Sequence, residues 1–257
     1  MKTKDIIEKL GENKLANIIL SLGIVVLITA VFTLIYEMST FKAESVDASR
    51  NYVHMDEIFL NASPLFKFTN QTNIFLGITI VLVGAKMHQK SRWQFDLLFI
   101  ANVLITITFI IYWALISWRR ADQWVTAPFK SFLSVLVHAI NPIIGFVVMF
   151  LVRKNIIVKW KSISYASLYV LAYFAFGLVL FFISKATTTA AKPAVIYSFL
   201  NFTNPLFYKG GNLAVVIILD IFMFVIATLI TTAFAFFWKA VYKMDAQKLN
   251  WKFKLKR

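Results

Sequence analysis

The sequence predicts an all-α fold: a polytopic membrane helix bundle of six transmembrane helices, forming one domain over residues 1–257 with both termini in the cytoplasm. Three observations lead there. Hydrophobic residues make up 60% of the chain and the mean hydropathy is +0.73, whereas soluble domains are about 45–50% apolar. The apolar residues gather into six blocks at 15–36, 64–87, 95–117, 129–152, 164–184 and 213–238, each near the roughly 20 residues that cross a hydrocarbon core of about 30 Å. The basic residues collect at the ends of those blocks. The blocks must be helices, because unpaired backbone in lipid is too costly and a barrel's alternation is missing.

The first block follows Met1 to Lys14, a segment charged in both signs. It exceeds the roughly 7–15 residues of a signal-peptide core and reads as a span that stays in the protein. The second opens with Ser63-Pro64, an N-cap followed by proline at the first helical position. This predicts a helix from Pro64, with Thr69 more than one turn inside it. The third carries Asp96 near its start, an acid that the helix dipole favours there. In the fourth, Ser131, Ser134, His138, Asn141 and Gly145 follow one another at spacings that keep them on one helical face. Pro142 has no N–H, so the carbonyl of His138 loses its helical partner; a bend and a free acceptor are expected there. The sixth block contains Asp220, an acid well inside the apolar run.

Of the 27 Lys and Arg residues, 18 flank one side: Lys2 to Lys14, Lys86 to Arg92, Arg153 to Lys161, and Lys239 to Arg257. The opposite flanks hold Lys42, Arg50, Lys67, Arg119, Arg120, Lys130, Lys185, Lys192 and Lys209. The positive-inside rule then puts both termini in the cytoplasm, and Trp93, Trp113, Trp118, Trp124 and Trp238 sit near span ends as interfacial anchors do. The expected location is the cell membrane of a bacterium, with the lipid bilayer as the main partner. The net charge of +15 is distributed as topology signal and headgroup contact rather than as a nucleic-acid footprint. The chain has no cysteine, which excludes disulfides, thiol catalysis and thiolate metal sites. It also lacks a zinc motif, a phosphate-binding glycine loop and a Gly-x-Ser-x-Gly elbow. Neither a cofactor nor a metal is expected.

Two outer connections are long. Residues 37–63 include Glu37, Glu44, Asp47, Asp56 and Glu57; residues 185–212 pass through a Thr- and Ala-rich linker into Tyr197, Phe199, Phe202, Phe207 and Tyr208. Loops of this length are often lids, and an amphipathic segment lying on the membrane is the other reading.

Ionisable groups inside a span are functional-site hypotheses by default. Thr69, His138 and Asp220 lie on three spans that all run from outside to inside. At about 1.5 Å per residue they reach roughly 8, 14 and 10 Å below the outer boundary. Thr72 and Asn73 share the face of Thr69, and Asn70 and Asn141 adjoin the same region. A threonine hydroxyl becomes a nucleophile when a base takes its proton, and neutral histidine suits that task. Asp220 would orient the imidazole as the acid of a catalytic triad does, and Asn70, Asn73 or Asn141 would donate to an oxyanion. Ordinary polar packing between helices around a proline kink is the competing reading.

The stretches Phe68-Thr69-Asn70-Gln71-Thr72-Asn73, His138-Ala-Ile-Asn-Pro142 and Tyr197-Ser-Phe-Leu-Asn201 resemble the androgen-induced-gene and androgen-dependent TFPI-regulating family and its bacterial relatives. The resemblance implies six spans with cytoplasmic termini. It also implies an intramembrane threonine and histidine, here Thr69 as nucleophile and His138 as base, which in the animal members hydrolyse branched fatty-acid esters of hydroxy fatty acids. The expected function is therefore a Thr/His-dependent lipid-ester hydrolase. Two alternatives stay open. One is the substrate-binding subunit of a vitamin-type transporter, although the first span, Ala16 to Tyr36, has no clear Ala-x-x-x-Ala docking motif. The other is a non-catalytic membrane protein that binds a lipid or small apolar ligand. Protein partners are not indicated.

Overall fold

The structure is a computed structural model that describes residues 3–40, 51–120, 122–187, 192–197 and 200–247. Lys42, Glu44, Asp47 and Arg50 of the first long connection, Phe199 of the second and the basic run from residue 248 onward lie outside the described residues. In chain order the elements are α1 (Thr3–Ser39), β1 (Val53–His54), α2 (Met55–Phe59), α3 (Phe68–Ala85), α4 (Trp93–Ile111), α5 (Gln123–Thr126), α6 (Pro128–Val135), α7 (Asn141–Leu151), β2 (Ile157–Val158), α8 (Trp160–Thr187), β3 (Ala194–Val195), α9 (Leu213–Val241) and β4 (Asp245–Ala246). Six helical stretches are long and apolar enough to cross a membrane: Asn13–Ser39, Met55–Ala85, Trp93–Ile116, Pro128–Leu151, Trp160–Ala186 and Leu213–Val241. Each overlaps one of the six apolar blocks. This architecture fits a multi-pass membrane protein.

The start of the second stretch differs from expectation. Pro64 lies inside a short 3-10 helix, Leu60–Phe66, and Lys67 is extended at φ −72°, ψ 127° before α3 begins at Phe68. Thr69 is therefore the second residue of its α-helix rather than more than a turn inside one. The Ser63-Pro64 pair lies in the middle of that turn and starts no helix: Ser63 Oγ is buried without a hydrogen-bond partner among the described residues, so it caps nothing, and the turn closes before the long helix opens.

The tightest helix pair is α1 with α3. A methyl group on Gly84 would sit 2.5 Å from the backbone nitrogen of Leu20, one on Gly77 2.8 Å from the Cα of Leu27, and one on Gly23 2.6 Å from the nitrogen of Val81. Glycine at these three places lets the backbones touch, which is how helices gain dispersion contact when lipid removes the hydrophobic drive between them. The centre of the bundle is α4, buried at every residue from Leu98 to Thr108 and packed against α3, α7, α8 and α9. Hydroxyl pairs tie the helices: Thr72 with Thr108 at 2.9 Å and Ser167 with Thr231 at 2.6 Å. The Trp238 indole donates to Thr106 Oγ1 at 2.8 Å. By contrast α9 presents Ile217, Ile218, Ile221, Phe222 and Leu229 outward, as a lipid-facing helix does.

One end of the bundle, here the distal end, carries the connections 40–67, 112–127 and 187–212. There β1 and β3 pair in parallel, with Val53 opposite Ala194 and His54 opposite Val195. The Ala194 N–H also donates to Ser184 Oγ at 2.6 Å. Ala194, Val195 and Ile196 are buried, and Leu200 and Phe202 pack with Phe181 and Met223 in a second apolar cluster. The described part of this connection is thus a strap seated on the bundle, not a segment lying apart from it. At the opposite, proximal end, β2 pairs with β4, and Asp96 accepts an ion pair from Lys159 at 2.6 Å in addition to sitting in the first turn of α4.

Candidate functional site

The distal half of the fourth stretch is not a regular α-helix. Leu136–Ile140 form a π turn between α6 and α7, and Tyr112–Ile116 form another directly after α4. Such turns free backbone groups and are frequent at functional sites. Pro142 removes the N–H that would have met the His138 carbonyl, and the Trp113 indole fills the gap by donating to that oxygen at 3.0 Å. The acceptor expected beside the histidine exists and is satisfied from the facing π turn. Tyr112 stacks on the imidazole, with ring centroids 3.7 Å apart and planes 14° from parallel.

Two contacts define the state of His138. Its Nδ1 lies 2.8 Å from the Ser134 carbonyl oxygen and 3.2 Å from Ser134 Oγ. A carbonyl only accepts, so Nδ1 carries the proton in the neutral ring and Nε2 is left with its lone pair. Nε2 in turn is 3.2 Å from Thr69 Oγ1. The Thr69 hydroxyl therefore points its proton at an imidazole already in the accepting tautomer.

The amides hold this pair in place. Asn73 Nδ2 donates both to Thr69 O and to Val137 O, each at 2.9 Å, and so links the backbones beside Thr69 and His138. Asn141 donates to Asn73 Oδ1 at 3.0 Å and accepts from Thr29 of α1 at 2.9 Å. Asn73 and Asn141 are fully buried, and in that setting each bond withheld leaves an expensive unpaired group. Asn70 gives its amide hydrogens to Pro64 O at 2.9 Å and to Glu37 at 3.1 Å; Glu37 also pairs with Lys67 at 3.3 Å. Asn70 and Asn73 thus have no amide hydrogen left for an oxyanion. Thr72 bonds to Thr108 in the α3–α4 contact rather than facing His138.

Thr69 and His138 stand where two cavities meet. The larger, about 310 Å³, has a polar wall that includes Glu37, His54, Asp56, Lys67, Lys130 and Ser134. The smaller, about 70 Å³, is walled by Phe68, Ile107, Ile111, Val170, Phe174 and Leu200. Thr69, Tyr112, His138 and Tyr197 line both.

Asp220 lines neither cavity. Equal depth on three spans does not fix the angle around the bundle: α9 packs on α8 and α4, while His138 belongs to the fourth stretch. The Nδ1 partner is the Ser134 carbonyl, so the orienting role expected of Asp220 is taken by backbone. One Asp220 oxygen is buried with no hydrogen-bond partner among the described residues.

Tyr197 is the residue that sequence reasoning left out of the site. The strap brings its phenol into hydrogen-bonding range of the Thr69 side chain, the Tyr173 hydroxyl and the backbone of Phe68 and Thr69. Burial pushes this phenol's pKa up against the opposing pull of those bonds, so it stays protonated at neutral pH. Tyr173 donates to Phe66 O at 2.8 Å and accepts from the Phe68 N–H at 3.1 Å. The signal available was the aromatic run after a linker; nothing local links Tyr197 to Thr69, 128 positions away. No group of three or more His, Cys, Asp or Glu side chains suited to a metal occurs among the described residues. Comparison with protein-family models, with curated proteins and with solved structures gives no match.

Proposed function

We propose that this chain is a multi-pass membrane hydrolase with both termini cytoplasmic, in which Thr69 is the nucleophile and His138 the base acting on the ester bond of a lipid. The observation that carries the reading is the 3.2 Å contact between Thr69 Oγ1 and His138 Nε2, with Nδ1 held protonated by the Ser134 carbonyl. This is the order of contacts that activates a hydroxyl in a triad, with a carbonyl in the place of the acid. The resemblance of the three sequence stretches to the Thr/His membrane hydrolases points the same way.

The chemistry follows from the geometry. Thr69 Oγ1 attacks the acyl carbon while its proton passes to His138 Nε2, and the carbonyl electrons move onto oxygen. Collapse of that intermediate breaks the bond to the alcohol, which leaves with the proton from Nε2, and the acyl group stays on Thr69. Water then repeats the sequence, giving up its proton to Nε2, and releases a carboxylic acid and free Thr69. Two adjoining cavities, one with charged side chains in part of its wall and one apolar, suit an ester whose parts differ in polarity.

The test is hydrolysis of a panel of lipid esters by purified protein in detergent. Cleavage by wild type and none by Thr69→Ala is expected. A wild type that cleaves none of the panel overturns the reading, and the pair is then a polar packing contact beside a binding cavity.

A further inference from the structure

Three cations from two distant parts of the chain meet at the proximal end of the bundle. A recess of about 630 Å³ lies between the end of α7 and the end of α9, with Arg153, Lys154 and Lys243 in its wall. Asp245 is the one acid in that lining, so positive charge is in surplus. None of the three cations is ion-paired among the described residues.

The arginine is held in a fixed pose. Its guanidinium lies 4.0 Å over the centre of the Phe150 ring, and Nη1 donates to Phe150 O at 2.8 Å. The stack and this single bond orient the planar fork and leave its other N–H groups for a ligand. Phe150 meets Tyr242 edge-on with centroids 5.4 Å apart, and the Tyr242 hydroxyl donates to Phe146 O at 3.1 Å. The end of α9 is thereby tied to α7. Beyond it, the β2–β4 pairing and the Gln247 N–H to Val158 O bond at 2.9 Å fix the chain. Lys243 stands between these two anchors in the left-handed region, at φ 51°. Glycine adopts that conformation freely and a residue with a Cβ does not. A lysine held there points to a use for its side chain.

We propose that this recess binds the phosphate of an anionic glycerophospholipid, with Arg153 as the fork and Lys154 and Lys243 as flanking charges. Basic pockets between spans take anionic headgroups in this way, and a guanidinium matches two phosphate oxygens at once. The occupant is a lipid rather than a free anion because an exposed apolar strip leaves the recess along the outside of the bundle. On α7 it consists of Val147, Phe150 and Leu151, and on α9 of Phe237 and Val241; spacings of three and four keep each set on one helical face. Acyl chains lie along such a strip while the phosphate stays at the cations. The site is at the opposite end of the bundle from Thr69 and His138 and does not depend on the hydrolase reading.

The experiment is native mass spectrometry of the full chain released from detergent micelles that contain dioleoylphosphatidylglycerol or dioleoylphosphatidylcholine. Wild type should retain one phosphatidylglycerol in preference to phosphatidylcholine. At roughly a factor of five per basic group, Lys243→Gly should weaken phosphatidylglycerol binding about five-fold, and Lys243→Gly combined with Arg153→Gln about twenty-five-fold. Retention of phosphatidylcholine should not change. Glycine relieves the left-handed backbone, so the thermal midpoint of Lys243→Gly in lipid-free detergent should hold or rise, which separates lost binding from a lost fold. If the double variant with Arg153→Gln fails to fold, Lys243→Gly with Lys154→Gln, both at exposed positions, carries the same expectation. Lys161→Gln, also at the proximal end but outside the recess, should bind as wild type does. Equal retention of the two lipids by wild type overturns the site, and so does undiminished binding by the double variant. An equal loss in Lys161→Gln would show attraction to the general surface charge and overturn it as well. Displacement of the lipid by millimolar inorganic phosphate would make the ligand a free anion and overturn the lipid assignment.

Discussion

The sequence puts His138 and Asp220 at similar depth in an apolar bundle, yet their surroundings in the structure have little in common. Around His138 nearly every polar group has a partner: Nδ1 meets Ser134, Nε2 meets Thr69, and the carbonyl meets Trp113. The imidazole lies in the wall of two cavities. Asp220 sits on α9 with one oxygen unpartnered among the described residues and lines neither cavity. The difference teaches that a polar residue's depth says little about function. Its angular position and its wiring decide.

The comparison breaks most readily at the proposed nucleophile and base. Thr69→Ala and His138→Ala should each lower ester hydrolysis by at least about 10²- to 10⁴-fold, the range for loss of acid–base help, and by similar factors because members of one unit are not additive. Rates measured on protein that still elutes as a folded species would check this. Unequal losses, with Thr69→Ala near wild type, would mean that His138 activates water directly.

Asn73→Ala sharpens it next. The substitution strips Thr69 O, Val137 O and the Asn141 amide of partners, and one unsatisfied buried group costs about 1–3 kcal/mol. Thermal unfolding in detergent should shift down and kcat should fall together, whereas a change in stability alone would separate the clamp from the site. Gly84→Ala, far from either residue, should destabilise without that coupling, because its methyl lands 2.5 Å from Leu20 N. The midpoint should drop while kcat per folded molecule holds. The smallest effect belongs to Asp220→Asn: hydrolysis should stay within about two-fold, since Asp220 lines neither cavity and an interaction must change in the transition state to change the rate. A loss approaching that of His138→Ala would restore an orienting role for the acid.

These outcomes bear on how far the sequence could be read. The six apolar runs were legible, each overlapping one long apolar helical stretch, because the length and composition of a span are set by the thickness of the hydrocarbon. The neighbourhood of Thr69 and His138 was legible as well, since two polar groups on spans of the same direction must find shelter at the same level. Other features were not. The break at Lys67 depends on how the 3-10 turn around Pro64 meets the bundle, and Ser63-Pro64 reads the same whether the turn continues or stops. The angle of Asp220 depends on which neighbours α9 chooses. The spending of Asn70 and Asn73 on backbone carbonyls follows from tertiary contacts that no spacing encodes. Tyr197 reaches Thr69 through a strap pinned by a two-residue strand pair, too short to announce itself in a pattern.

The central claim is that Thr69 is a nucleophile armed by His138. The most direct measurement is mass-spectrometric mapping of the adduct formed when the purified protein is treated with a fluorophosphonate. The account predicts a single modified peptide with the phosphonate on Thr69 in wild type and none in His138→Ala. An adduct on another residue, or an equal Thr69 adduct without His138, would contradict it.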